Sequence, residues 1–335
     1  MKIAIINFSG RKEGNCAKIC KALQEEFEKE QVRLLDFCDF QISSCKDCGY
    51  ECFADGKICP QFDRVKALYD AILQADVAFY VLPNYCDYPC ANFFIFNESG
   101  CAYFSNNQSL VDAYLAVKKK FIVVSNMSRD NFAKAFSYHI PASTEADVLY
   151  LSAKKFDKDS IKGDILDNVN AQRLLNDFAN GKEKVEESAM AIVISANDIL
   201  YTVEDIYGKL RTSLPKGHIE SGETHIDTAI RECFEETGVQ LSANEFVGEG
   251  TPYAYVFVDH NYNIIRKKIY PVLFRQERRG RIKRKEQQIK QIGYKPIVDF
   301  FIACDYDNVR QMLVDILKKY PATKRHPRKL DDVDA

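Results

Sequence analysis

The 335 residues carry 46 Lys and Arg against 48 Asp and Glu, a net charge of −2, with 46% hydrophobic and 28% charged side chains. That length exceeds what one ordinary core serves, so two domains are expected, and the balanced charge excludes a chain tuned as a whole for nucleic acid. No stretch approaches the roughly 18 apolar residues a membrane span needs, and the opening MKIAIINFSG breaks into a polar glycine loop unlike an export signal, so a cytoplasmic protein is expected.

Up to residue 155, short β-branched or aromatic runs alternate with helical patterns. Lys2–Phe8, Val32–Phe37, Val77–Leu82, Phe121–Ser125 and Val148–Leu151 read as strands, with helices over Asn15–Lys29 and Phe62–Gln74. Such alternation predicts βαβ units and a doubly wound parallel sheet, whose ligands bind beyond the carboxyl ends of the strands. A helical pattern over Asn168–Ala179 closes this half. NGKEKVEES then reads as a linker, and Met190–Ser195 as a new strand, which puts a boundary near residue 184. Ten of the twelve cysteines precede residue 102, which in a chain without an export signal points to reduced thiols or a metal site rather than disulfides.

The first strand runs into Phe8-Ser9-Gly10-Arg11-Lys12-Glu13-Gly14-Asn15-Cys16 and then a helix, so free backbone N–H groups and the helix dipole favour an anion there. The segment resembles the FMN-phosphate loop of NADPH-dependent FMN reductases, which implies phosphate contacts from Ser9, Arg11, Asn15 and Cys16. Cys16 stands where that family has Thr. Pro83-Asn84-Tyr85 resembles the turn flanking the isoalloxazine ring, and Ser125-Asn126 lies where a third flavin loop is expected. The family's downstream Lys and Asp-Arg are replaced by Phe94 and Glu98-Ser99. The resemblance implies bound FMN with NAD(P)H or another electron donor; a flavodoxin-like domain without its cofactor is the alternative, and a homodimer is compatible with either. Cys45, Cys48, Cys52 and Cys59 follow the second strand with spacing similar to iron–sulfur flavoproteins. Their four thiols suit a [4Fe–4S] cluster or Zn²⁺, and a cysteine-rich loop without metal is the third reading. Cys86, Cys90 and Cys101 read as packing thiols or redox partners.

From Gly217 to Val239 the chain reads GHIESGETHIDTAIRECFEETGV. Glu223–Thr237 has helical periodicity, with Ile226, Ala229, Ile230 and Cys233 on one stripe. Glu232, Glu235 and Glu236 project within an arc of roughly 100° away from it. Carboxylates so crowded repel one another, and hard divalent cations relieve that repulsion. The bland alternative is a solvated acidic helix face. The pattern of Gly217, Glu223, Arg231, Glu232, Glu235, Glu236, Gly238 and Val239 resembles the Nudix box. That implies a Mg²⁺- or Mn²⁺-dependent hydrolase of a phosphoanhydride, with Glu232, Glu235, Glu236 and the Gly217 carbonyl as metal ligands. Arg231 orients the carboxylates, and Glu223 supports the loop through an ion pair. Glu286 lies where the family often places a further carboxylate, as metal ligand or general base.

Leu214-Pro215-Lys216-Gly217-His218 resembles the branch acting on diadenosine and diphosphoinositol polyphosphates, and His218 stands beside the metal loop. Arg275 to Lys295 holds nine basic residues and two acids, either a polyphosphate clamp or a solvated loop. Tyr306–Lys319 resembles the helix that usually closes the family's sandwich, and the tail is polar. The expected organisation is thus α/β throughout: a flavodoxin-like doubly wound sheet over 1–184, a Nudix α/β/α sandwich over 185–320, and a tail over 321–335. The rival to an enzyme is a Nudix ligand sensor governing the flavin domain, but sensors of this kind usually lose box carboxylates and this chain keeps them.

Overall fold

The computed structural model describes residues 1–45, 49, 51–85, 88–125, 133–141, 146–206, 208–283 and 288–321. It divides into two compact units, Met1–Val185 with Ala254–Arg266, and Glu186–Tyr253 with Lys267–Ala335. Among the described residues no helix is long and apolar enough to cross a membrane.

The first unit comprises β1 (Lys2–Asn7), α1 (Asn15–Glu26), β2 (Gln31–Asp36), α2 (Phe62–Leu73), β3 (Val77–Tyr85), β4 (Tyr88–Pro89), α3 (Ala91–Phe104), α4 (Gln108–Ala116), β5 (Lys118–Ser125), α5 (Ala133–Phe136), β6 (Asp147–Ser152) and α6 (Val169–Ala179). The strands run in the order β2-β1-β3-β5-β6, all parallel, with the short β4 antiparallel to β3. This is the flavodoxin-like order, with its switch point between β1 and β3. Alternate side chains of each strand leave on opposite faces. Ile3 and Ile5 pack with Ile19, Leu23, Leu174 and Phe178 of α1 and α6, whereas Ala4 and Ile6 pack with Val65, Leu68, Phe93 and Phe96 of α2 and α3. Both faces are therefore covered, as an all-parallel sheet requires.

The second sheet begins with a hairpin of β7 (Lys184–Ser195) and β8 (Asp198–Ile206), followed by β9 (Lys209–Ser213), β10 (Lys216–His218), α7 (His225–Thr237), β11 (Phe246–Glu249), β12 (Tyr253–Val258), β13 (Ile264–Gln276), β14 (Ile289–Pro296), α8 (Ile297–Ala303) and α9 (Asp307–Lys319); β12 after Tyr253 and the first residues of β13 are counted with the first unit. The sheet order is β11-β13-β7-β8-β14, with β9 on β8, β10 on β7 and β12 on β13. Ala189, Ala191 and Val193 of β7 pack with Ala229 and Cys233 of α7. Met190, Ile192 and Ile194 between them are equally buried, so β7 is covered on both faces.

The connector read over NGKEKVEES is shorter than expected, because β7 already begins at Lys184. Its first residues alternate between polar and half-buried positions and lack the apolar run that marks the rest of the strand. Helices α3 and α4 were not legible as helices. The segment ANFFIFNESGCAYF is apolar nearly all round, which removes the amphipathic period, and Phe93, Phe96, Ala102 and Tyr103 are all buried. The acidic helix starts two residues later than its periodicity suggests, at His225, because Thr224 caps it.

Candidate functional site

In the second unit the site grows from α7. Thr224 Oγ1 accepts the N–H of Asp227, and the Asp227 carboxylate accepts the N–H of Thr224, a reciprocal cap that fixes where the helix begins. At the other end Gly238 takes φ 73°, a left-handed conformation that stops the helix. With both ends set and Ala229 and Cys233 buried, Glu232, Glu235 and Glu236 fall within one turn and a quarter.

Arg231 organises this group. Its Nε and Nη2 donate to the two oxygens of Glu223 at 2.7 and 2.9 Å, and Nη1 donates to Glu232 at 2.7 Å and Glu235 at 3.0 Å. Nη2 also donates to the backbone carbonyl of His218 at 2.8 Å, so all five guanidinium N–H donors are engaged. Glu223 additionally accepts from the Thr228 hydroxyl at 2.7 Å and the Glu220 N–H at 3.1 Å. The hydrogen bonds from Arg231 are the main reason its carboxyl is held down at about 2. Glu236 is buried. Burial works against the charge of Lys216, but the carboxylates of Glu204, 3.0 Å away, and Glu236 outweigh it and raise the lysine pKa.

Gly217 lies against the same helix. A Cβ added there would overlap the Glu232 carboxylate, so the missing side chain is what lets β10 and α7 approach. Among the described residues no group of three His, Cys, Asp or Glu is already gathered around a metal position. The donor set nevertheless fits a hard divalent cation: oxygen ligands on one helical turn, with an Arg231 cation already placed between Glu232 and Glu235. Glu286 lies outside the described residues. Part of the basic run is committed to protein partners: Arg275 donates to the Tyr320 carbonyl, Arg279 pairs with Asp198, and Lys295 lies over the Tyr201 ring.

The first unit gathers its candidate residues beyond the carboxyl ends of β1, β3 and β5. A cavity of about 50 Å³ is lined by Ser9, Arg11, Asn15, Cys16, Pro83, Asn84 and Tyr85. Gly14 precedes α1 without a side-chain cap, so the first N–H groups of the helix remain for an anion. Asn15 does not point its amide at that position. Its Nδ2 donates to the carbonyls of Ser160 and Gly163 at 2.9 and 3.0 Å, and its Oδ1 accepts the N–H of Ile165 at 2.9 Å. Arg11 Nη2 likewise donates to the Ile161 carbonyl at 3.0 Å. Ser9 Oγ accepts the Arg11 N–H at 3.2 Å, and burial pushes the Cys16 thiol up. Sequence reasoning missed Ser160 and Ile161, which line the cavity from a loop far along the chain and carry no motif.

Asn84 Nδ2 donates to Ser125 Oγ at 3.0 Å, while its Oδ1 is buried with no donor among the described residues. An orphaned acceptor in this cavity suits a ligand N–H, such as a flavin ring would offer. Asn126 lies outside the described residues.

Cys45, Cys52 and Cys59 line a second cavity of about 140 Å³ together with Cys101 and Glu98. Burial, and then Glu98, push the Cys45 thiol up to about 11, and no metal-holding group forms among the described residues. Cys48 lies outside the described residues.

The chain is therefore a two-part α/β protein: a flavodoxin-like parallel sheet with an anion loop, followed by a mixed-sheet unit bearing an acidic helix. Residues 1–93 match the NADPH-dependent FMN reductase family and residues 186–310 match the NUDIX domain, so the chain is a fusion of the two. A Mycobacterium tuberculosis chain named as mutator protein MutT4 is 33% identical over 108 residues, 32% of this chain and 42% of that one. The phosphatase NudJ of Escherichia coli K12 is 33% identical over 64 residues, 19% of this chain and 42% of that one. The chain thus spans less than half the length of these curated relatives. Among solved structures, a NUDIX hydrolase from Nitrosomonas europaea is similar with a TM-score of 0.32 and 21% identity, covering 43% of this chain and 94% of that chain. The E. coli dihydroneopterin triphosphate pyrophosphohydrolase has a TM-score of 0.32 and 11% identity, covering 41% and 99%.

Proposed function

We propose that residues 185–320 hydrolyse a phosphoanhydride in a nucleoside diphosphate-linked or dinucleoside polyphosphate-like substrate, in a reaction that depends on Mg²⁺ or Mn²⁺. The observation that carries this reading is the Arg231 hub, which holds Glu223, Glu232, Glu235 and the His218 carbonyl at once. Glu232, Glu235, Glu236 and the Gly217 carbonyl would hold the cation, which would supply charge neutralisation at the phosphoryl oxygens. Arg231 keeps the carboxylates aimed before substrate arrives, so no side chain must be reordered during reaction. Glu235 is 46% exposed against 12% for Glu232, which makes it the carboxylate best placed to take a proton from the attacking water. Glu235→Gln is expected to lower cation-dependent turnover by at least about 10²-fold while the fold stays intact. Unchanged turnover removes Glu235 from the reaction.

Residues 1–184 are proposed to bind FMN and to pass electrons from NAD(P)H or another donor. The orphaned Asn84 acceptor beside the α1 terminus supports this. Ser9, Arg11, Cys16 and the first turn of α1 would surround the phosphate, and Pro83, Asn84 and Tyr85, with Ser125 behind them, the ring; the flavin would supply the hydride chemistry. Purified protein is expected to be yellow, and a colourless preparation that ignores added FMN refutes the assignment. A cytoplasmic location belongs with this reading.

A further inference from the structure

One segment of the first unit comes from far along the chain. Ala254–Arg266 falls inside the stretch that matches the NUDIX domain, yet it is counted with the first unit. Its stem is held by Arg266, which donates to both oxygens of Glu183 and, at 2.8 Å, to Asp147 at the start of β6. Ile264 is buried in the same core as Phe156 and Ile165. At the tip, between β12 and β13, the Tyr262 ring stacks on Phe156 with centroids 5.7 Å apart, and its hydroxyl donates to the Lys155 carbonyl at 3.1 Å. From α6, Arg173 Nη2 donates to the carbonyls of Asn261 and Tyr262 at 2.9 and 3.2 Å.

The turn is shaped by its own bonds. The Asp259 carboxylate accepts the N–H groups of Asn261 and Asn263 at 2.9 and 2.8 Å and the Asn263 amide at 2.9 Å, and the Asp259 N–H donates to the Asn263 carbonyl at 3.0 Å. Tyr262 takes φ 59°, a left-handed conformation that favours Gly or Asn and disfavours a bulky side chain. A tyrosine there gains nothing for the turn itself; what it supplies is a ring and a hydroxyl aimed at Phe156 and Lys155.

Those two residues are the root of the loop that grips the anion site. Phe156 runs directly into residues 157–165, where the carbonyls of Ser160 and Gly163 accept from Asn15 and that of Ile161 accepts from Arg11. Ser160 and Ile161 line the cavity, and Tyr262 does not. We propose that the turn at 259–263 positions the flavin-phosphate grip, Tyr262 fixing the root of the 157–165 loop so that its carbonyls hold Arg11 and Asn15 in place. Tyr262 is thereby a positioning residue for FMN, supplied from outside the stretch that matches the FMN reductase family. The inference rests on the FMN reading of this unit.

The test uses the full-length protein and two readouts. Hydrogen exchange is expected to quicken over residues 157–165 in Tyr262→Ala, and to change less in Tyr262→Phe, which keeps the stacked ring. Titrations are expected to show FMN held about 10-fold more weakly by Tyr262→Ala and within about threefold by Tyr262→Phe. Riboflavin, which lacks the phosphate, is expected to bind all three proteins alike. In an Asn15→Ala background, Tyr262→Ala is expected to add less than about threefold, because the grip it acts through is already loosened. Arg173→Gln changes an exposed side chain without opening the core, and an FMN-selective loss of about threefold from it keeps the test decisive should Tyr262→Ala fail to fold. Unchanged exchange over 157–165 in Tyr262→Ala, or equal losses for FMN and riboflavin, overturns the inference. Quickened exchange in a protein whose unmodified form binds no flavin upholds the hold on the loop and overturns the flavin reading instead.

Discussion

Replacing Gly217 with Ala tests the closeness of β10 and α7 with a single methyl group. The added Cβ would lie nearer than 3.0 Å to Oε1, Cδ and Oε2 of Glu232 together, a spacing real Cβ atoms essentially never show. Glu232 is half-locked by its bond to Arg231, so it cannot swing away freely; its carboxylate must retreat by about 1 Å or the strand must lift. Overpacking of this kind costs about 1–3 kcal/mol. The larger consequence is for reaction, because misplacing a reacting group by about 1 Å is enough to lose about 10²-fold. Gly217→Ala is therefore expected to keep a cooperative thermal transition, lowered by a few degrees, while kcat/KM for Mg²⁺-dependent phosphoanhydride hydrolysis drops about 10²-fold. The assay is phosphate or nucleotide release across a substrate panel, with circular dichroism on the same preparations. Full activity in the Ala variant would refute the claim that Gly217 and Glu232 form one site.

Arg231→Lys supplies three donors where five are in use, and should lower kcat/KM by at least about 10-fold while adding Arg231→Met costs little more; equal activity of Lys and Arg proteins would show that the fork is not needed. The Glu223 carboxyl, held near 2 by Arg231, contributes stability that is present above its unfolded value of 4.5 and is lost as pH falls through about 2. Denaturant titrations between those limits should show that loss, and Glu223→Gln should flatten it. Burial depresses Lys119 to about 7 from 10.5, so the unfolded chain binds the extra proton and stability should rise with pH between those values; Lys119→Met should remove the rise, read from thermal midpoints. Asn15→Ala removes three hydrogen bonds to the 160–165 loop and should weaken FMN binding by about 10-fold or more, measured by flavin fluorescence quenching.

The first sheet was legible because parallel strands buried on both faces appear as continuous apolar runs, as Ile3 to Ile6 do. The period of α3 was hidden because its exposed stripe, Ala91, Phe94, Glu98 and Cys101, is mostly apolar and does not contrast with its buried face. The acidic helix was legible because its chemistry is local: Arg231 reaches Glu232 and Glu235 within one turn, and the cap and the stop lie at its two ends. What could not be read is whatever depends on distant pairing. Lys267 meets His218 across 49 positions, and Asn15 meets Ser160 across 145. No periodicity or spacing links such residues; only the crossing of β13 past β7 and β10, or the return of the chain after β6, brings them together.

That return has a bearing on how the protein can be dissected. The glycine loop after β1 carries the recognisable motif, but its shape is stitched by Asn15 and Arg11 to carbonyls beyond residue 159. A fragment ending after β6 would retain every letter of the motif and the whole parallel sheet, yet leave those two side chains with nothing to grip. Flavin affinity should therefore switch on not as the loop leaves the ribosome but roughly 150 residues later, when the final crossover closes over it.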